Sequence, residues 1–251
     1  MNFQLNTLMK TVIESKRAIK MIETMDWFTQ NLRDRTPFGY ARFNDGEMMA
    51  VDKIGAVVAR GDQVVDESLN KALTEALTHK QENYYIGIPC SLCYPHLAKL
   101  ATELVGEYKY LTRAVVTTNR NWKTFMDTFP SAMEGRRLVW VAGNDQNPDA
   151  IRDLGINVGK TALIPRVNSW NFYEKIKDMV PQYFEPGDVV GISLGPSARV
   201  LVRQWFEEYS ELTFIDMGSN LDPITRNVWH NCHKGWEETG FNLTKRCKEC
   251  N

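Results

Sequence analysis

The sequence has no apolar run approaching the roughly 18 residues that a membrane-spanning helix needs, which argues against an integral membrane protein. Its opening stretch, MNFQLNTLMKTVIESKRAIKMIETM, lacks the apolar centre of a secretory signal and carries acids and bases at helical spacing. A cytoplasmic location is therefore expected. Charge of one sign is not in excess either, with 30 Lys and Arg against 31 Asp and Glu. No global basic field points to nucleic acid. Cysteine is sparse and odd in number, five residues grouped as two CxxC pairs and one single. That pattern excludes a secreted disulfide framework and points to metal or redox chemistry.

Familiar nucleotide-binding fingerprints are missing as well. GINVGKT (155–161) approaches a P-loop, but only three residues separate Gly155 from Gly159 and Leu154 stands where the first glycine belongs. The segment before it reads as a helix rather than the required strand. No G-x-G-x-x-G follows a predicted strand, which excludes a nicotinamide or flavin dehydrogenase of the usual kind. The H-E-x-x-H signature of zinc peptidases is absent.

What is present is an ordinary globular composition, 251 residues with 43% hydrophobic and 24% charged, enough for one large α/β domain. Residues 7–33 carry apolar positions at helical spacing. TPFGYARF reads as a strand followed by an acidic turn and a helix with Met48, Met49 and Val51. DESLNKALTEALTH reads as a helix, NYYIGIP as a strand, and HLAKLATELV as a helix. RAVVTTN (113–119) and RRLVWVAGND (136–145) are short apolar runs of the kind a parallel sheet buries on both faces. NFYEKIKDMVPQYF is helical up to Pro181. GDVVGISLGPSARVLVRQWFEEY gives a strand, a Gly-Pro turn and a helix, and ELTFIDMG a last strand. Strands alternating with helices predict a Rossmann-like, mostly parallel sheet flanked by helices. The expected organisation is an N-terminal helix packed on the core (1–35), a catalytic domain (36–220) and an irregular Cys/His-containing extension (221–251).

Two segments suggest chemistry. SLGPSARVLV places a helix N-terminus at the carboxyl end of a strand, where free N–H groups and the positive dipole end attract phosphate. Gly195 allows close backbone approach, Pro196 suits the first turn, and Ser197 offers a hydroxyl. YARFNDGEMMAV puts Asp45 and Glu47 around a glycine in a strand-to-helix turn. The pair either favours the positive end of the helix or supplies two hard oxygen ligands to Mg²⁺ or Mn²⁺. Asn119 and Arg120, in TTNRNW, also fall at a strand end where ligands dock, or form a surface turn.

RFNDGE, LGPSA and FIDMGSNLD, in that order and spacing, together with IPRVNSWNFYEKI, resemble the motifs of the GT-D-type glycosyltransferases over residues 36–222. The resemblance implies a Rossmann-like fold and metal-dependent transfer of a sugar from a nucleotide sugar, typically a UDP-sugar, to an acceptor hydroxyl. It implies Asp45 and Glu47 as metal and diphosphate contacts, with Arg42 supporting their loop. Gly195, Pro196 and Ser197 then contact the nucleotide, and Asn168 matches the family's asparagine segment. Asp216 and Asp222 are candidates for sugar or acceptor contacts. Asp216 is the candidate general base, or simply caps the turn after its strand. The chain departs from the family at Asn44, where glycine is usual, and at SNLD, which replaces a histidine-containing segment. The acceptor expected is a glycan, with a modified nucleobase as the other choice.

The cysteines allow three readings. Cys90 and Cys93 with Cys247 and Cys250 could hold a structural Zn²⁺. A local set could instead join Cys232, Cys247 and Cys250 with His230 or His233. Cys90 and Cys93 also sit between a strand and a helix, the setting of a thiol-disulfide oxidoreductase. A non-catalytic nucleotide-sugar or nucleic-acid binding protein is the further alternative.

Overall fold

The structure is a computed structural model that describes residues 25–118 and 121–230. Among these, seven strands form one parallel sheet in the order β5-β4-β1-β9-β8-β6-β7. They are β1 (Gly39–Arg42), β4 (Tyr84–Ile88), β5 (Leu111–Arg113), β6 (Arg137–Gly143), β7 (Asn157–Ile164), β8 (Val189–Ser193) and β9 (Thr213–Asp216). A small antiparallel hairpin, β2 (Val57–Val58) with β3 (Gln63–Val64), stands apart from the sheet.

Successive side chains of a strand point to opposite faces, and the core divides accordingly. Ala41, Val139 and Val141 face one layer, built from α3 (Glu67–Thr78), α4 (Pro95–Val105), α7 (Tyr173–Met179) and α8 (Ser197–Glu208). Tyr40, Leu138, Trp140 and Ala142 face the other, where α1 (Asp26–Arg33), α5 (Trp122–Ala132) and α6 (Asp149–Arg152) pack. Leu69 and Leu73 on α3, and Phe125 and Phe129 on α5, are four residues apart and fully buried. Each such side chain stabilises the fold by about 1.5–3 kcal/mol. Local signals set the helix ends. Asp66 caps α3 by accepting from the Leu69 N–H at 2.7 Å, and Pro95 opens α4. No described helix is long and apolar enough to cross a membrane.

The sheet agrees with the expected class, with local differences. The strand expected over 113–119 lies earlier, at Leu111–Arg113, and 114–118 turn away from the sheet. A side chain on Gly87 would lie 2.9 Å from the Ala114 Cα, so the backbone after β5 folds in over that glycine. β7 and α5 were not anticipated. β7 is an edge strand with mixed exposure, so it shows no continuous apolar run. The helix expected up to Pro181 breaks into a 3₁₀ turn at Ser169–Phe172, α7, and a second 3₁₀ turn at Val180–Tyr183. The P-loop look-alike is part of β7, and a side chain on Gly159 would lie 2.4 Å from Arg137 Cδ. That glycine makes room for an arginine, and no phosphate loop exists there.

Candidate active site

From β1 the chain adds β4 and β5 on one side, then crosses to build β6 to β9 on the other. The strand order therefore reverses beside β1, and the crevice at the carboxyl ends of β1, β9 and β8 is where such sheets bind ligands. The helix α2 (Asp45–Asp52) starts just after β1, and α8 just after β8.

Arg199, on the first turn of α8 and 3% exposed, joins these loops. Its Nε donates to the Arg42 carbonyl at 2.6 Å and lies 2.8 Å from Asp216 Oδ2, while its Nη2 meets Glu47 Oε1 at 3.1 Å. Its Nη1 donates to the Gly195 carbonyl. Arg42 is buried beside it, its Nε donating to the Ala114 carbonyl at 3.0 Å and its Nη1 to Asn220 Oδ1 at 2.9 Å. The support expected of Arg42 therefore runs to the loops after β5 and β9.

Asp216 is fully buried. Its Oδ2 accepts from the Arg42 N–H at 3.1 Å and its Oδ1 from the Gly218 N–H at 3.0 Å. Burial pushes its pKa up, against the pull of the Arg199 and Arg42 guanidinium groups. With no exposed surface and both oxygens engaged, Asp216 cannot reach an acceptor hydroxyl. The general-base role gives way to that of an anchor for the turn after β9.

The two carboxylates of the acidic turn are not equivalent. Glu47 is the third residue of α2, and its Oε2 accepts from the Asn44 N–H at 3.1 Å, as the glutamate of a capping box does. Its other oxygen is paired with Arg199. Asp45, at the first position of α2 and partly exposed, has no hydrogen-bond or ionic partner among the described residues. The helix-opening reading of the turn holds for Glu47, which caps α2, while the Asp45 carboxylate takes no such partner. No three Asp, Glu, His or Cys side chains among the described residues converge on a point that would hold a metal. The oxygen chemistry of Asp45 nonetheless suits Mg²⁺ or Mn²⁺, which bind through one or two carboxylates when phosphate and water fill the shell.

Gly195 adopts φ +51° at the turn between β8 and α8, and Pro196 leads into the helix. Ser197 is completely buried. Its Oγ lies 3.0 Å from that of Ser169, which in turn donates to the Leu194 carbonyl at 3.0 Å. The hydroxyl expected to meet a nucleotide instead fastens the loop after β7. Asn168, in the left-handed region at φ 51°, sits in that same loop next to Ser169, whose contacts to Leu194 and Ser197 lie on either side of Gly195. The hairpin closes over both, with the Asn168 N–H donating to the Asp62 carbonyl at 2.6 Å and Ala59 Cβ near Gly195.

Asp222 begins the short helix α9 (Asp222–Thr225) and is buried. Its Oδ2 lies 2.8 Å from His230 Nε2 and 3.3 Å from an Arg226 nitrogen. The Gln146 amide donates to Ser193 Oγ at 3.0 Å, which ties this corner to the end of β8. Residues 191–195 also read G-x-S-x-G, a pattern easily taken for a nucleophile elbow. Ser193 ends a regular strand and donates to the Gly218 carbonyl, and the left-handed residue is Gly195 two positions on. The sharp turn that would expose a nucleophile is not built.

Cys90 is buried against Val115, and Cys93 is exposed. Asn119, Arg120, Cys232, His233, Cys247 and Cys250 lie outside the described residues, as does most of the 221–251 extension. His230, the remaining member of the alternative zinc set, is engaged with Asp222 through Nε2.

Sequence reasoning missed Arg199, Ser169 and Asn220. Arg199 had a signal: it is the charged residue inside the apolar stretch SARVLV, whose neighbours are all buried. Ser169 and Asn220 had none, because their partners lie 28 and about 100 positions away.

No family model and no curated protein matches this sequence. Solved structures do match. A selenomethionine-substituted structure of domain of unknown function 1792 aligns with a TM-score of 0.64 over 88% of this chain and 82% of that one, at 17% identity. A protein from Streptococcus sanguinis described as a new glycosyltransferase (DUF1792) aligns with 0.64 over 80% and 82%, at 18% identity. A third, at 16% identity, has 0.64 over 88% and 82%, and is described as showing that this domain has a distinct glycosyltransferase fold. The chain thus has the Rossmann-like fold of the DUF1792 structures, as the GT-D resemblance implied.

Proposed function

We propose that the protein is a metal-dependent glycosyltransferase that takes its sugar from a nucleotide-sugar donor, with a UDP-sugar the first candidate. One observation carries the reading. Arg199 clamps the acidic turn after β1 to the Gly195 turn before α8, and Asp45 is the carboxylate this clamp leaves without a partner. The shared fold with structures described as glycosyltransferases supports it.

In this reading the diphosphate lies between the start of α8 and the start of α2. The positive dipole end of α8 attracts phosphate there, although the Ala198 and Arg199 N–H groups already donate to the Gly195 and Pro196 carbonyls, at 3.2 and 3.3 Å. Gly195 keeps the backbone close, and Asn168, in the loop that Ser169 fastens to Ser197, would contact the nucleotide. Asp45 would hold a divalent ion, with Glu47 fixing the turn through its cap and its Arg199 pair. Such an ion, when bound, offsets the charge that gathers on the departing diphosphate. Arg199 and Arg42 keep their guanidinium groups buried among loop carbonyls and Asp216. They pre-organise the crevice, so little rearrangement is required as charge develops. The bond between the anomeric carbon and the diphosphate oxygen breaks with its electron pair going to the oxygen. The acceptor oxygen forms the new bond to the anomeric carbon, and its proton passes to the departing diphosphate.

The test is thermal denaturation against UDP, GDP, CDP and ADP, each with and without Mn²⁺. A ligand present at 100 times its dissociation constant adds about 2.7 kcal/mol to stability. The expected result is a Mn²⁺-dependent rise with one diphosphate, absent in Asp45→Asn. No rise with any of the four would overturn the proposal.

A further inference from the structure

The structure points to an acceptor subsite built by the chain after β9, and we infer that its ligand is a pyranose ring stacked on Trp229. The inference rests on the glycosyltransferase reading and names where the second substrate lies.

Trp229 is 50% exposed and packs on one ring neighbour. Its ring stands edge-on to Trp122, with centroids 5.5 Å apart and planes at 74°. Trp122 is held in turn by its Nε1–H, which donates to the Asn220 carbonyl at 2.9 Å. The Asn220 side chain accepts from Arg42 and donates to Thr117 Oγ1 at 2.8 Å. Three contacts, through Trp122 and Asn220, therefore connect the exposed indole to the arginine beneath the crevice. On its other side the backbone doubles back on α9. The N–H groups of Arg226 and Val228 both donate to the Asp222 carbonyl, at 3.0 and 3.2 Å. This return puts His230 against the Asp222 carboxylate, with Arg226 on the same oxygen and Asp145 Oδ2 2.9 Å from Arg226.

The result is a half-exposed indole on the chain that follows β9, one residue before the histidine that joins the Asp222 cluster. A pyranose has the matching two-sided character. One face of C–H bonds is apolar and carries slight positive charge, suited to the negative face of an indole. Its hydroxyls are donors and acceptors for carboxylate, imidazole and guanidinium groups. Ligand sites generally pair aromatic walls with a few placed polar groups in this way. An indole half open to water and backed by a perpendicular neighbour provides such a wall, and that contact lowers the cost of ordering it on binding.

Saturation-transfer NMR on the full chain tests this with a panel of methyl glycosides of glucose, galactose and N-acetylglucosamine, both anomers of each. Diphosphate thermal shifts are recorded on the same samples. At least one glycoside is expected to receive saturation mainly at its ring C–H face. Trp229→Ala should weaken that binding about tenfold or more, Trp229→Phe should keep most of it, and the diphosphate shift should survive both. Absence of any Trp229-dependent glycoside signal overturns the subsite, whatever the diphosphate does. So does a fall in Tm in Trp229→Ala with glycoside binding unchanged, which would assign the ring to packing. If the wild type shows no diphosphate shift, the donor reading fails separately, and the glycoside arm still decides this inference.

Discussion

Arg199 and Asp216 meet at 2.8 Å with almost no solvent access to either, one on the first turn of α8 and the other at the end of β9. A buried ion pair adds little net stability when intact, yet removing one partner leaves an uncompensated charge that costs about 3–5 kcal/mol. Arg199→Met should therefore lower stability by about that amount, measured by urea unfolding. Arg199→Lys should recover only a part. A single ammonium cannot span the Arg42 and Gly195 carbonyls together with Glu47 and Asp216. A lysine variant as stable as the wild type would show that the four-way contact does not hold the loops.

Asp45 and Glu47 should separate cleanly under substitution. Asp45→Asn removes a carboxylate with no hydrogen-bond or ionic partner among the described residues, so apo stability should change by less than about 1 kcal/mol, the worth of a charge at a helix N-terminus. The Mn²⁺-dependent response to a nucleoside diphosphate should vanish. Glu47→Gln should instead cost about 1–3 kcal/mol through its cap and its Arg199 pair, and only weaken the ligand response. Retention of the full response in Asp45→Asn would remove Asp45 from the metal site.

The difference between these two residues also marks the limit of what the sequence could reveal. Arg42, Asp45, Glu47 and Gly195 could be singled out because each ends or closely follows a strand whose apolar run is easily read, whereas Asn168 was picked out by motif resemblance alone. Which oxygen was already occupied was not legible, since that depends on Arg199 arriving from more than 150 positions away. Ser197 failed for the same reason: a serine that opens a helix looks like a ligand donor until Ser169 is folded against it. β7 was missed because an edge strand with one wet face lacks the continuous apolar run that revealed β6 and β8. Asp216 was found, but only burial could tell an anchor from a base.

Asp216 also sets a pH signature. Its pKa is raised in the folded state by burial, beyond what its arginine neighbours restore. A carboxyl shifted upward binds its proton more tightly when folded. Its contribution to stability is full below the ordinary value of 3.8 and declines as pH rises through the raised folded value. The stability difference between wild type and Asp216→Asn should therefore narrow as pH rises from below 3.8. Asn also turns its NH₂ toward one of the two N–H groups, of Arg42 or of Gly218, that the carboxylate accepts from, a constant penalty of about 1–3 kcal/mol. The slope, read from urea midpoints at a series of pH values, is the diagnostic quantity. A difference that widened with pH would mean that the arginines outweigh burial.

Gly159→Ala provides a control that separates scaffold from site. The added methyl carbon would lie 2.4 Å from Arg137 Cδ and 2.6 Å from its Cγ. That side chain cannot swing away cheaply, because it is bonded twice to the buried carboxylate of Asp188, at 2.9 and 2.6 Å, and once to the Tyr183 carbonyl at 2.8 Å. Overpacking of this kind costs about 1–3 kcal/mol, with more if the Asp188 pair separates. β7 carries Gly159 near its start, whereas the crevice opens at the carboxyl ends of the strands. Thermal stability should therefore fall while the diphosphate response, measured well below the lowered Tm, stays at the wild-type level. If the response fell in proportion to stability, the segment that imitates a P-loop would be coupled to the nucleotide after all, and the separation drawn between β7 and the Gly195 turn would be wrong.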